Sequence, residues 1–139
     1  MKFFIASPWR NKDAVKSLED ALVRRGHSAC SFLDNGANLA TGTSVCDEVK
    51  AFSHSMEAWE DNPLIARVFE SEMRALRDSD TVILLEPAGR SSLAEAGVAY
   101  GMGKKVILIG PVERPEIVYR ICGSRYPNTE AFLLDLAAP

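Results

Sequence analysis

The chain has 139 residues, 47% of them hydrophobic and 25% charged, with 16 Lys+Arg against 19 Asp+Glu for a formal charge of −3. At roughly 150 residues per domain this is one domain, residues 1–139, able to bury a real core, and the composition excludes disordered, collagenous and low-complexity classes. The mildly acidic balance argues against nucleic acid or a membrane surface as partner, and no apolar run reaches the ~18 residues of a membrane span.

The run Phe3-Phe4-Ile5-Ala6, closed by Ser7-Pro8, predicts a buried first strand over residues 2–6. It is too short for the apolar region of a secretory leader, so a cytoplasmic setting is expected. From Asn11 the apolar residues Ala14, Val15, Leu18, Ala21 and Leu22 recur at helical spacing, and Gly26 stands where a helix stops. Residues 27–33 read as a second strand. Asn35 and Gly36 break it, and residues 39–61 have no clean period, which predicts a loop with one weak helix at most.

Pro63 opens a second helix with Leu64, Ile65, Val68, Phe69, Met73 and Leu76 on one face. The β-branched run at 81–85 predicts a central strand, followed by a turn through Pro87 and Gly89, a helix over 90–102 and a buried strand over 105–109. A short helix over 116–122, an edge strand over 124–126 and a closing helix over 129–136 capped by Asn128 complete the chain.

Strands alternating with helices predict an α/β domain: a single parallel sheet covered on both faces, a three-layer sandwich. Ligands of such sheets sit outside the carboxyl ends of the strands, so residues 7–11, 33–61, 86–92 and 110–114 matter most. The three cysteines are widely spaced, no C-x-x-C occurs, and His27 and His54 are isolated. No disulfide framework, zinc site or other metal or redox cofactor is therefore expected. Gly101 and Gly103 mark a helix stop rather than a dinucleotide fingerprint.

The chemistry concentrates in Leu85-Glu86-Pro87-Ala88-Gly89-Arg90-Ser91-Ser92-Leu93-Ala94-Glu95. A turn at Gly89 opens a helix whose free amides and positive end attract an anion; Arg90 adds a forked donor, and Ser91 and Ser92 add hydroxyls. Glu95 lies four residues past Ser91 and three past Ser92, on the same side of the helix. The competing reading is a plain helix start, with a serine as N-cap and Glu95 as the glutamate of a capping box. Ser7, Trp9 and Arg10 follow the first strand, where Ser7 and Arg10 suit a phosphate and Trp9 a stacked base; the alternative is a capped helix start with a surface aromatic.

The segment from Leu85 through Glu95, Gly97, Ala99, Gly101 and Gly103 to Lys104 resembles the signature of the nucleoside 2-deoxyribosyltransferase superfamily, which includes nucleoside 5′-monophosphate N-glycosidases. The likeness extends to Phe3-Phe4-Ile5-Ala6-Ser7-Pro8, to residues 70–85 and to Gly123-Ser124-Arg125-Tyr126. It implies a flavodoxin-like or Rossmann-like fold and a glutamate, matching Glu95, that attacks C1′ of a (deoxy)ribose and expels the base through a covalent glycosyl-enzyme. It also implies a second acid, falling on Glu72 where the family has aspartate, with Glu70 as the alternative. A tyrosine of the nucleotide hydrolases matches Phe3, and Ser124 matches a serine lent to the neighbouring subunit's phosphate site, which implies a homodimer or larger assembly.

The resulting expectation is an N-glycosidase acting on a nucleoside 5′-monophosphate, with Glu95 and Glu72 catalytic. Ser7, Trp9, Arg10, Gly89, Arg90, Ser91, Ser92 and Ser124 would bind the substrate. The alternatives are a deoxyribosyltransferase between free nucleosides, and a nucleotide-binding or sensing module without turnover.

Overall fold

A computed structural model describes residues 1–34 and 59–137. The loop expected over 39–61, with His54, therefore lies outside the described residues except at Trp59–Asp61, a single 3-10 turn. The chain folds as β1 (Lys2–Ala6), α1 (Lys12–Arg24), β2 (Ser28–Ser31), α2 (Pro63–Asp78), β3 (Thr81–Leu85), α3 (Arg90–Gly101), β4 (Lys105–Ile109), β5 (Ser124–Tyr126) and α4 (Thr129–Asp135). The five strands are all parallel in the order β2-β1-β3-β4-β5. This is the flavodoxin-like order, with β3 at the centre.

The punctuation residues act as their chemistry requires. Gly26 has φ +80°, and the amides of Gly26 and His27 close onto the carbonyls of Val23 and Leu22 to end α1. Asn62 caps α2, its Oδ1 accepting from the amides of Leu64 and Ile65, with Pro63 at the first helical position. Asn128 does the same for α4 through the Ala131 amide at 2.8 Å. Gly103, at φ +75°, ends α3, while Gly101 is still helical.

Alternation along the strands builds two cores. Phe3, Ile5, Ile83, Leu85, Ile107 and Ile109 pack under α1 and α4 with Val15, Leu18, Leu22 and Phe132. Phe4, Ala6, Val82, Leu84, Val106 and Leu108 pack on the other face with Leu76 of α2 and with Ala96 and Ala99 of α3. Consecutive strand residues point to opposite faces, so an unbroken apolar run fills both layers.

The apolar stripe expected on α2 is wider than the surface it buries. Val68 and Leu76 are buried, but Phe69 is 59% exposed. One residue is a 100° rotation on a helix, which carries Phe69 off the sheet-facing side. The short helix over 116–122 forms as a 3-10 helix, Ile117–Ile121, with no buried residue. Among the described residues no helix is long and apolar enough to cross a membrane.

Candidate active site

β1 and β3 are adjacent, and their continuing helices go to opposite faces, α1 to one and α3 to the other. This divergence is the topological switch point, and it leaves a crevice above the carboxyl ends of the two strands. Side chains cross-link the loops there. Ser7 is buried, its Oγ donates to the Leu85 carbonyl at 3.0 Å, and Asn11 Nδ2 donates both to Ser7 Oγ at 2.9 Å and to the Pro87 carbonyl at 3.0 Å. Arg10 Nη2 reaches the Ala88 carbonyl at 3.3 Å. The turn after β3 is thus held by the turn after β1, 76 to 78 residues earlier in the chain.

Gly89 is the N-cap of α3, and Ser92 folds back on it. Ser92 Oγ accepts from the Gly89 amide at 2.7 Å and donates to the Gly89 carbonyl at 2.9 Å. The first helical bond, Leu93 N–H to Gly89 O, leaves the amides of Arg90, Ser91 and Ser92 with no acceptor inside the helix. The capping-box reading of this segment therefore holds for Ser92 and not for Glu95, which lies one turn beyond the box. Arg90 and Ser91 are exposed beside these amides. A Cβ on Gly89 would sit 3.5 Å from Pro8, an ordinary contact, so the cap position itself is not sterically reserved for glycine.

Glu95 of α3 and Glu72 of α2 meet across neighbouring helices on one face of the sheet. Their carboxyls are hydrogen-bonded, and the Glu95 carboxyl is pushed up to about 8 by burial first and by the charge and hydrogen bond of Glu72 second. Two carboxyls at hydrogen-bonding distance cannot both ionise cheaply, so the pair holds one proton near neutrality. Glu70 goes elsewhere. It is exposed and lines an open groove of about 390 Å³ with Lys2, Arg67, Arg74 and Asp78. Two residues are a 200° rotation on a helix, so α2 presents only one of the two glutamates to α3.

Phe3 is wholly buried under α1 and α4, edge-on to His27 and Phe132, on the face opposite Glu95. A hydroxyl at that position would not approach the pair. Trp9 leans on Phe32 with ring centroids 5.1 Å apart, and Lys12 Nζ lies 5.9 Å from its ring. Ser124 is on the edge strand, two strand spacings from β3, about 10 Å; within one chain it stands apart from Glu95.

Three participants were not singled out from sequence. Asn11 looked like a helix start, Glu86 like a turn residue, and Tyr119 like part of a short helix. An acidic residue directly after a buried strand was a usable signal for Glu86; the reach of Asn11 across the crevice had none. Among the described residues no group of three or more His, Cys, Asp or Glu is placed to hold a metal ion.

No protein-family model matches the chain, and no curated protein matches it by sequence. Solved structures do match its fold. A 2-deoxyribosyltransferase from Bacillus psychrosaccharolyticus superposes with a TM-score of 0.67 at 18% identity, covering 99% of this chain and 93% of that one. A CMP N-glycosidase from Clostridium botulinum superposes at 0.56, again at 18% identity, covering 98% and 100%. The chain has the fold of these enzymes.

The raised carboxyl has a consequence for stability. Below the ordinary carboxyl value of 4.5 both the folded and unfolded chains hold the Glu95 proton; between 4.5 and about 8 only the folded chain does. The stabilisation is therefore present at low pH and is lost as pH rises through that window. The urea midpoint should fall between pH 5 and pH 8, and Glu95→Gln should flatten the decline. An equally steep decline in Glu95→Gln would show that another group carries it.

Proposed function

We propose that the protein cleaves the N-glycosidic bond of a nucleoside 5′-monophosphate, with Glu95 as nucleophile. The observation that carries this reading is the proton-sharing Glu72–Glu95 pair, one turn behind the free amides that open α3, at the switch point of the sheet. The likeness of fold to a deoxyribosyltransferase and a CMP N-glycosidase supports it.

Near neutrality Glu95 holds the proton of the pair; when substrate arrives that proton passes across the hydrogen bond to Glu72 and leaves Glu95 anionic. Glu95 attacks C1′, the bond to the base breaks, and its electrons leave with the base, which takes a proton from solvent. Water then attacks C1′ from the vacated side, loses a proton, and frees Glu95, leaving the sugar 5-phosphate. Hydrogen-bonded carboxyl oxygens lie at ~2.5–2.7 Å, too close to flank the scissile bond from both sides, which takes ~5–5.5 Å between carboxyls. Glu72 accordingly acts as proton holder rather than as an acid on the far face.

The phosphate falls to the amides of Arg90 and Ser91, the Arg90 guanidinium and the Ser91 hydroxyl. Ser7 and Ser92, with their single hydroxyl protons already given to carbonyls, shape this corner rather than bind. Trp9, on its Phe32 support, offers a face to the base. A second reading, transfer of the sugar to another base, draws on the same two commitments, because they leave fewer anion donors than the sequence suggests. Adding a free base and looking for a new nucleoside separates transfer from hydrolysis.

Glu95→Ala should abolish base release from a panel of nucleoside monophosphates, followed by chromatography, while leaving their binding intact. Turnover near the wild-type rate would remove Glu95 as nucleophile. Arg90→Ala should weaken monophosphates about tenfold, the low end for a charge-assisted hydrogen bond given its exposure, and spare the matching nucleosides. Equal losses for both would take Arg90 off the phosphate.

Ser124 is proposed to complete the phosphate site of a second copy in a two-fold dimer, which would give two equivalent sites. Mixing Ser124→Ala with Glu95→Ala protein should restore activity, since some mixed dimers hold one site with both residues intact. A dimer that shows no complementation would remove Ser124 from the site.

A further inference from the structure

Glu86, the first residue past β3, has no part in the scheme above, yet three elements converge on it. Its Oε2 accepts from the Ala88 amide at 2.6 Å, and its own amide donates to the Ile109 carbonyl of β4 at 2.9 Å. Its Oε1 is buried with no hydrogen-bond partner in its own turn or elsewhere in the described chain. Gly110, at φ +104°, lies so close that a Cβ there would come within 2.9 Å of Glu86 Cβ. The Tyr119 phenol, on the 3-10 helix after β4, faces the same carboxylate; burial and Glu86, with smaller contributions from Cys122 and Glu116, push it up to about 12.

A carboxylate buried at a turn is costly unless something is gained by fixing it there. What it fixes is Ala88. The Ala88 carbonyl is the one Arg10 holds, and the residue after Ala88 is the N-cap whose following amides are free. Glu86 grips this peptide from the β4 side while Arg10 and Asn11 grip the turn from the β1 side. The turn is thereby clamped between two strands before any ligand arrives. Such preorganisation favours binding because ordering the turn is already done.

We propose that Glu86 is a positioning residue for the anion-binding turn, held by the Ala88 amide and packed against Gly110 with the Tyr119 phenol beside it, and that it sets the affinity for the phosphate of the substrate. The inference rests on the reading of the α3 start as the phosphate site. Glu86 touches no substrate atom; it acts through the placement of Gly89, Arg90 and Ser91. Gln keeps the shape of Glu86 but removes the charge and puts a buried N–H₂ against the Ala88 amide or the phenol. Phe at 119 removes one hydroxyl and nothing else.

The test measures binding of ribose 5-phosphate and of ribose to the full chain by calorimetry, and base release from nucleoside monophosphates and nucleosides. Glu86→Gln should weaken ribose 5-phosphate about tenfold, as for loss of a charge-assisted hydrogen bond, and Tyr119→Phe about threefold. In both variants KM for monophosphates should rise by the same factors, with kcat and the nucleoside KM unchanged. Glu86→Asp, which keeps the charge, should recover part of the loss. Ring-labelled tyrosine followed by NMR should show Tyr119 titrating lower in Glu86→Gln. Wild-type binding with no selective loss in either Glu86→Gln or Tyr119→Phe would overturn the positioning role alone. Equal loss for phosphorylated and unphosphorylated ligands would reduce Glu86 to a general fold contact and overturn it too. If wild-type protein shows no preference for ribose 5-phosphate over ribose, the phosphate reading itself fails and this inference with it.

Discussion

The pairing of β1 with β3 is the constraint on which the rest depends. In register, Phe3 lies beside Thr81 and Ala6 beside Leu84, so both strands end at one level. Their loops start side by side and then part, because α1 covers one face of the sheet and α3 the other. Three side-chain bonds span that parting: Ser7 to Leu85, Asn11 to Pro87 and Arg10 to Ala88. A chain that paired β1 elsewhere would keep all its elements and lose the crevice.

Burial and charge are arranged differently around the two acidic residues of this corner. Glu95 is raised because it is desolvated and faces a second carboxyl across two packed helices. Glu86 is held by the Ala88 amide at the foot of the turn, with the Tyr119 phenol beside it. The first arrangement holds one proton between two carboxyls. The second leaves the carboxylate bound up in local structure, which is geometry. Both lie at the carboxyl end of the sheet because there the strands stop using their backbone groups and side chains take over.

The serines illustrate how hydrogen-bond accounting revises a motif. Ser7, Ser91 and Ser92 look alike in sequence as hydroxyls at an anion site. A hydroxyl has one proton to give. Ser7 gives it to Leu85 and Ser92 to Gly89, and both are buried. Ser91 is exposed at the helix start. The three residues thus divide between bracing the turns and facing solvent, a division set by which way each side chain points.

The elements and their order were legible in the sequence, because apolar period, Pro63, Gly26, Gly103 and Asn128 are local signals with local causes. Residues 2–6, 81–85 and 105–109 are strands for the reason expected: runs too short for helices and apolar on both sides. The motif around Glu95 was legible too, since a helix start and a carboxylate one turn on are fixed by spacing alone. What the sequence left open was every choice that depends on rotation or on a distant partner. Glu72 rather than Glu70 meets Glu95 because α2 packs with one azimuth; Phe69 stays outside for the same reason. Phe3 belongs to the opposite face because strand residues alternate and the odd positions of β1 face α1. The bonds from Asn11 to Pro87, and the approach of Gly110 and Tyr119 to Glu86, join residues that are neighbours only once β1, β3 and β4 lie side by side. Spacing determines what is near along one element, and only the packing of elements decides which of those groups share a proton, a hydrogen bond or a wall.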